Sequence, residues 1–182
     1  MLYIIRHGKT DWNARHKLQG RTDIPLNEQG RAMALKAHDE YLDIHLDVCY
    51  CSPLIRARET AQILLERRDI PIITDDRLTE MAFGSYEGIE NSFDIPDCPI
   101  NELFFHPENY IPEEGAGESL DELFERTGSF LKDIMPEVKK GKDILIVGHG
   151  AMNSSIVTQV RGRSRDQFWS EGIENCVMKK LI

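Results

Sequence analysis

From its first residue the chain alternates short apolar runs with stretches of helical period, the signature of α/β architecture around a largely parallel sheet. Residues 2–5 read as a buried strand, and Asn27 is placed to cap a helix whose apolar face is Ala34, Leu35, Tyr41 and Leu42. A second strand follows over 46–51. The next helix, 56–67, puts Ala57, Ala61, Leu64 and Leu65 on one stripe, and 70–74 is a third strand. Ser119 opens a long helix with Leu120, Leu123, Phe124, Thr127, Leu131 and Ile134 inward, and Pro136 is expected to end it. Residues 144–147, 152–160 and 176–182 complete the chain as strand, short helix and final strand. The pattern predicts one domain over 1–182, a three-layer α/β/α fold with a central, mostly parallel (mixed) sheet.

Residues 81–118 break both rhythms. Pro96, Pro99, Pro107 and Pro112 and scattered glycines leave little periodicity, which predicts a long lid-like excursion, because structureless stretches of this size in compact domains are usually functional or mobile. From Met81 to Glu125 the chain has no Lys or Arg. Aromatic residues stand there instead, at Phe83, Tyr86, Phe93, Phe104, Phe105 and Tyr110.

Composition narrows the class of protein. At 182 residues with 41% apolar and 29% charged positions the chain is long enough to bury a core without staples. No apolar run approaches the ~20 residues that cross a bilayer, and residues 1–7 lack the features of a secretory leader, so a cytoplasmic location is the expectation. Cys49, Cys51, Cys98 and Cys176 form neither a C-x-x-C pair nor a disulfide framework and read as packing residues. A net charge of −9 argues against a nucleic-acid footprint, which needs a cationic face, but leaves room for a local cationic pocket.

Such a pocket is what the strand ends offer. In open α/β sheets ligands bind beyond the carboxyl ends of the strands. The first strand runs into Arg6-His7-Gly8, the second into Ser52 through Ala57 with Arg56, and the fourth into Gly148-His149-Gly150. Two arginines and two histidines on one rim fit an anion, since guanidinium forks match phosphate oxygens and repel a metal cation. Helices starting after Arg56 and Gly150 are expected to add amide donors. A histidine held there is a candidate nucleophile, splitting phosphoryl transfer into two displacements. Glu80 is the candidate proton donor, because a carboxyl group beside bound phosphate holds a proton more readily.

These motifs resemble the histidine phosphatase superfamily, in the branch that includes cofactor-dependent phosphoglycerate mutase, and the resemblance runs from Leu2 to the C-terminal strand. The family's R-H-G-x-T-x-x-N is similar to Arg6 through Asn13, G-x-x-D-x-P-L to Gly20 through Leu26, and S-x-L-x-R-A to Ser52 through Ala57. The acidic E-x-x-F-G-x-(W/Y)-E-G corresponds to Glu80 through Gly88, G-E-S to Gly117 through Ser119, and V-G-H-G to Val147 through Gly150. The resemblance implies that His7 is phosphorylated, that Glu80 is the proton donor, and that Arg6, Arg56 and His149 clamp the phosphate. It further implies that Asn13, Gln19, Gly20 and Gly150 line the substrate site, and that no metal or other cofactor is needed. Lys9 departs from the family's usual Glu or Gln and is expected to add a cation at the pocket mouth.

Bland alternatives stand beside these readings. Arg6 and Arg56 could pair with Glu80 or Asp23 in a structural network, and a zinc site of His7, His149 and Glu80 is chemically conceivable, though adjacent arginines oppose it. Gly148-His149-Gly150 lacks the third glycine of a dinucleotide fingerprint, as Asn153 stands there. Three functions remain: a phosphomonoesterase, a phosphoglycerate mutase, and a phosphate-binding module without turnover. A mutase must hold a second anionic group, which the acidic excursion would repel, so a neutral or partly aromatic leaving group is favoured, such as a sugar phosphate or the α-ribazole phosphate that some relatives hydrolyse. The expected partner is a small phosphorylated metabolite, with no nucleic acid and no membrane, and a homodimer stays open as the assembly state.

Overall fold

The computed structural model describes residues 1–182. In chain order the elements are β1 (Leu2–Arg6), α1 (Asp11–Ala14), α2 (Glu28–Glu40), β2 (Val48–Cys51), α3 (Ile55–Leu64), β3 (Ile72–Thr74), α4 (Glu102–Phe105), α5 (Leu120–Lys139), β4 (Ile144–Gly148), α6 (Gly150–Val160) and β5 (Lys179–Lys180). The five strands form one sheet in the order β3-β2-β4-β1-β5. All pairings are parallel except β1 with β5. Arg6 pairs with Gly148 and Cys51 with Val147, so the three strands whose ends carry the polar motifs finish side by side with β4 in the middle.

Alternation along β4 builds the three layers, as successive side chains of a strand face opposite ways. Ile144 and Ile146 join Leu2, Ile4 and the inner faces of α5 and α6 in one core. Leu145 and Val147 join Ile5, Cys49, Cys51 and the α2–α3 pair in the other. α2 lies against α3 through small residues, with Gly30, Ala34 and Ala37 buried while Leu35 and Leu42 are half exposed. This corrects the apolar face read from the sequence. On another side α2 approaches the backbone after β1 closely at Gly30, where a Cβ would sit 2.0 Å from the Lys9 carbonyl oxygen.

Boundaries also differ from expectation: β2 and β3 begin two residues later, at Val48 and Ile72, and α3 ends at Leu64 rather than 67. Pro136 lies inside α5, which continues to Lys139. A proline so near the end forfeits one backbone bond to an exposed turn, and the helix stops where Gly141 takes φ +102° and its N–H bonds the Val138 carbonyl. The final strand shrinks to Lys179–Lys180, because Cys176 at φ +57° interrupts the extended backbone.

The excursion over 81–118 is packed rather than structureless. It consists of short helical turns and α4, and Met81, Phe83, Ile100, Leu103 and Tyr110 enter the same core as α5 and α6. Its base is closed by two bonds between Ala82 and Glu118, one from each backbone N–H. Glu118 is itself gripped by the Arg126 fork, with Nε and Nη2 at 2.6 and 2.9 Å. Its near side pairs with the segment after α1 through bonds such as Leu18 N–H to Ile89 at 3.0 Å. No helix is long and apolar enough to cross a membrane.

Candidate active site

A cavity of about 150 Å³ opens at the carboxyl ends of β1 and β4 and is lined by Arg6, His7, Asn13, Gln19, Gly20, Arg56, Glu80 and Gly150. Eight of the nine residues singled out from the sequence therefore meet in one place. The ninth, His149, is fully buried beside them, with its ring centroid 5.2 Å from that of His7.

The hydrogen bonds of His7 fix its tautomer. Nδ1 donates to the Gly8 carbonyl at 2.6 Å, and Nε2 accepts from Arg56 Nε at 3.3 Å. The bare nitrogen is therefore Nε2, facing the guanidinium. Burial, with Arg56 and Arg6 close by, pushes the His7 pKa well below its usual value, so the ring is neutral at physiological pH and its Nε2 lone pair meets only the Arg56 donor.

His149 Nε2 lies 2.7 Å from Ser52 Oγ, which also accepts the Leu54 N–H at 3.3 Å. In the tautomer in which the Ser52 hydroxyl donates to Nε2, the imidazole proton sits on Nδ1, a buried atom with no protein partner. Arg6 Nε is a second such donor, while its Nη1 is spent on the Ile173 carbonyl. Unpartnered buried donors are costly unless a ligand meets them, and two of them beside His7 fit an anion.

Arg56 is anchored without any carboxylate. Nη2 donates to Gly20 O at 2.7 Å and Nη1 to Thr22 O at 2.9 Å, so one N–H on each terminal nitrogen stays free. Burial lowers its pKa to about 10 against the opposing pull of Glu80, and it stays charged. No ion pair joins Arg6 or Arg56 to Glu80 or Asp23, so the structural-network alternative is not what the side chains adopt.

The helix N-termini depart from expectation. The Ala151 and Met152 amides of α6 are taken by Glu80, at Oε2 3.2 Å and Oε1 2.9 Å, and Met81 N–H adds a third bond at 2.9 Å. At α3 the Ile55 N–H is taken by Asp23 at 2.7 Å. Carboxylates thus occupy the positive dipole ends, and the phosphate is left to the side chains and the Gly150 amide. Gly150 keeps room there, since a Cβ would already be 3.6 Å from Arg6 and 3.7 Å from Glu80 Oε2.

Asn13 reaches the pocket from α1, a four-residue helix too short to show a period in the sequence, and Gln19 from the segment that follows it. Thr10 caps α1 and binds both amide oxygens, Asn13 Oδ1 from its N–H at 3.1 Å and Gln19 Oε1 from its hydroxyl at 2.8 Å. Their NH₂ groups are left for a ligand. Lys9 does not line the cavity; Lys17 does, its ammonium 3.8 Å from Glu90 and 5.6 Å from the Trp12 ring centre. Trp169 lines it too, held by a bond from Nε1 to the Leu103 carbonyl and stacked on Phe104 at 5.5 Å. Sequence reasoning missed both. Lys17 lies three residues beyond the end of α1, where it bridges to Glu90, and Trp169 belongs to a segment without periodicity.

The two neutral histidines set a pH dependence of stability. Unfolded, each takes up a proton near pH 6.5, whereas folded they resist protonation until well below it. The unfolded state therefore binds more protons in that window, and stability falls as pH drops below about 6.5, by up to about 2.7 kcal/mol per unit for the pair. Urea midpoints between pH 7.5 and 5 should show this, and His149→Gln should halve the slope. A flat profile would contradict it.

The chain is similar to several known proteins. A family model described as the histidine phosphatase superfamily (branch 1) matches residues 2–182. An uncharacterized phosphatase, PhoE, of Bacillus subtilis is 35% identical over 160 residues, covering 87% of this chain and 76% of its own length. A 2,3-bisphosphoglycerate-dependent phosphoglycerate mutase of Gloeobacter violaceus is 30% identical over 184 residues, covering 97% and 83%. The solved structure of Bacillus stearothermophilus YhfR superposes with a TM-score of 0.87 at 29% identity, covering 97% of this chain and 88% of that one.

Proposed function

The chain belongs to the histidine phosphatase superfamily, branch 1, and from that premise we propose that it hydrolyses a small phosphomonoester through a phosphohistidine on His7, with no metal ion. The observation that carries the reading is the neutral His7, its Nδ1 proton held by Gly8 and its Nε2 lone pair turned to a cationic pocket.

In the first displacement Nε2 attacks phosphorus and the bond to the ester oxygen breaks. Arg6, the free N–H groups of Arg56, His149 Nδ1 and the Gly150 amide meet the charge on the phosphoryl oxygens. Glu80 gives its proton to the departing alkoxide; Oε2, with a single amide partner, is the oxygen with a lone pair to spare. In the second displacement water attacks the phosphohistidine, Glu80 takes a water proton, the N–P bond breaks and phosphate leaves.

For the leaving group, a second cavity of about 480 Å³ adjoins the first and shares Arg6, Asn13, Lys17, Leu18 and Phe104 with it. Phe93, Asn91, Ser92 and Asp94 continue its wall, which favours an alcohol with hydroxyls or a ring, such as a sugar or ribazole-type nucleoside phosphate. The mutase reading draws support from the relative above and from Lys17, a cation supplied from outside the acidic excursion. One lysine already close to Glu90 is a weak holder for both a carboxylate and a second phosphate. The binding-module reading gives the unprotonated Nε2 of His7 no task beyond accepting from Arg56.

Turnover of sugar and nucleoside monophosphates and of 3-phosphoglycerate, with and without the bisphosphate primer and with EDTA throughout, tests this. Hydrolysis of the neutral-alcohol esters, insensitive to EDTA and well above any isomerisation, is expected. Efficient primer-dependent isomerisation would make the protein a mutase, and phosphate binding without turnover would make it a binding module.

A further inference from the structure

Beyond the residues that face the phosphate, one half-buried carboxylate gathers more backbone bonds than any role in the excursion requires. Glu87 Oε1 accepts the N–H groups of Arg21 at 3.0 Å and Phe83 at 3.1 Å. Oε2 accepts the N–H of Thr22 at 2.9 Å and its hydroxyl. The loop it grips is the one that holds Arg56. Gly20 and Arg21 share a peptide unit, whose N–H points to Glu87 while its C=O receives Arg56 Nη2 at 2.7 Å. Arg56 Nη1 is received by the carbonyl of Thr22, the next residue along.

We propose that Glu87 is a positioning residue for the phosphate clamp, setting the Arg56 guanidinium through the Gly20–Arg21 peptide. The proposal rests on the phosphatase reading above. A carboxylate bonded to the N–H of a peptide polarises it, so that its carbonyl becomes a stronger acceptor for the next donor in the chain. Glu87 is also among the charges that favour the protonated guanidinium of Arg56. The packing is specific: Gly20 has φ +53°, and a Cβ there would stand 2.1 Å from Glu87 Oε1. No side chain fits between the carboxylate and the peptide it orients.

The same oxygen that binds Arg21 also binds Phe83, three residues after Glu80, and the Arg21 Nε returns to the Glu80 carbonyl at 3.3 Å. Glu87 therefore ties the strand-end clamp to the segment that carries the proton donor. A glutamine at this position would bring an NH₂ against backbone N–H donors.

Three variants, Glu87→Gln, Thr22→Val and Arg56→Ala, with the two doubles that combine Arg56→Ala, test the proposal by kcat/KM and by inhibition with vanadate. Arg56→Ala alone should lose roughly 10²- to 10³-fold in turnover, the scale of one preorganised donor. Glu87→Gln should lose roughly 10- to 100-fold, weaken vanadate in parallel, and cost less than about threefold more once Arg56 is gone, since coupled residues are not additive. Full additivity, or a lowered Tm with unchanged activity and vanadate affinity, would overturn it. If Glu87→Gln does not fold, Thr22→Val decides: it deletes one of the four bonds and should lose several-fold only while Arg56 is present, and no loss overturns the proposal. Wild-type protein without turnover would bring down the phosphatase reading itself, whereas an impaired Arg56→Ala beside an unimpaired Glu87→Gln would bring down only this inference.

Discussion

Replacing His7 by alanine is expected to remove turnover of every phosphomonoester, on the order of 10⁶-fold, the scale lost with a covalent nucleophile. Neither the second histidine nor the arginines of the pocket can take its place. His149 is the other histidine in reach, but it does not line the cavity and its Nε2 is engaged by the Ser52 hydroxyl. Arg6 and Arg56 are charged and hold no nucleophilic pair. The variant should still fold and bind phosphate, because removing one buried imidazole leaves the Arg56 anchors at Gly20 and Thr22 intact. With the wild-type protein, labelled substrate quenched in alkali should leave label on His7, since phosphohistidine is acid-labile. Label on an aspartate, or turnover surviving in His7→Ala, would overturn the assignment.

Why the sequence made this pocket legible, and its supports less so, follows from the range of the interactions involved. Arg6-His7 and Gly148-His149 lie at the ends of apolar runs of unmistakable strand character, and parallel pairing of β1 with β4 brings them together by register alone. Arg56 sits in the first turn of α3, whose stripe of Ala57, Ala61 and Leu64 was equally plain. The elements read wrongly were those decided by contacts distant in sequence. α2 buries Ala34 and Ala37 instead of Leu35 because a close approach of α2 to α3 and to the Lys9 backbone favours small residues, a preference that hydrophobicity does not encode. The use of the α3 and α6 amides by Asp23 and Glu80 depends on partners 32 and 71 residues away. Glu87 stood inside a recognised motif, yet its bonds run 65 residues back along the chain to Thr22, and spacing within the motif says nothing of them. Residues 81–118 lack a period because short turns pack irregularly on the core, which the sequence registers only as a loss of pattern.

Glu80→Gln is expected to discriminate between substrates by their leaving groups. An alkoxide must receive a proton as the ester bond breaks, whereas nitrophenolate departs without one, so the loss in kcat/KM, which reports the first displacement alone, should be roughly 10²- to 10⁴-fold for an alkyl phosphate and within about tenfold for p-nitrophenyl phosphate. The contrast matters more than either figure, because Glu80 has two duties in this fold. It caps α6 through the Ala151 and Met152 amides and lies at the pocket beside Arg6 and Gly150. Glutamine keeps one carbonyl oxygen for the Met81 and Met152 N–H groups but turns its NH₂ toward Ala151, so the start of α6 and the Gly150 amide are disturbed for every substrate alike. A uniform loss would therefore measure the cap and assign Glu80 to shaping the pocket. A loss that grows as the leaving group becomes more basic isolates the proton. Dephosphorylation supplies the complement: if Glu80 also deprotonates the attacking water, phosphohistidine should accumulate in Glu80→Gln with p-nitrophenyl phosphate, and a stoichiometric burst followed by slow release is the expected trace. A burst-free trace at the wild-type rate would show that the water is activated by another group.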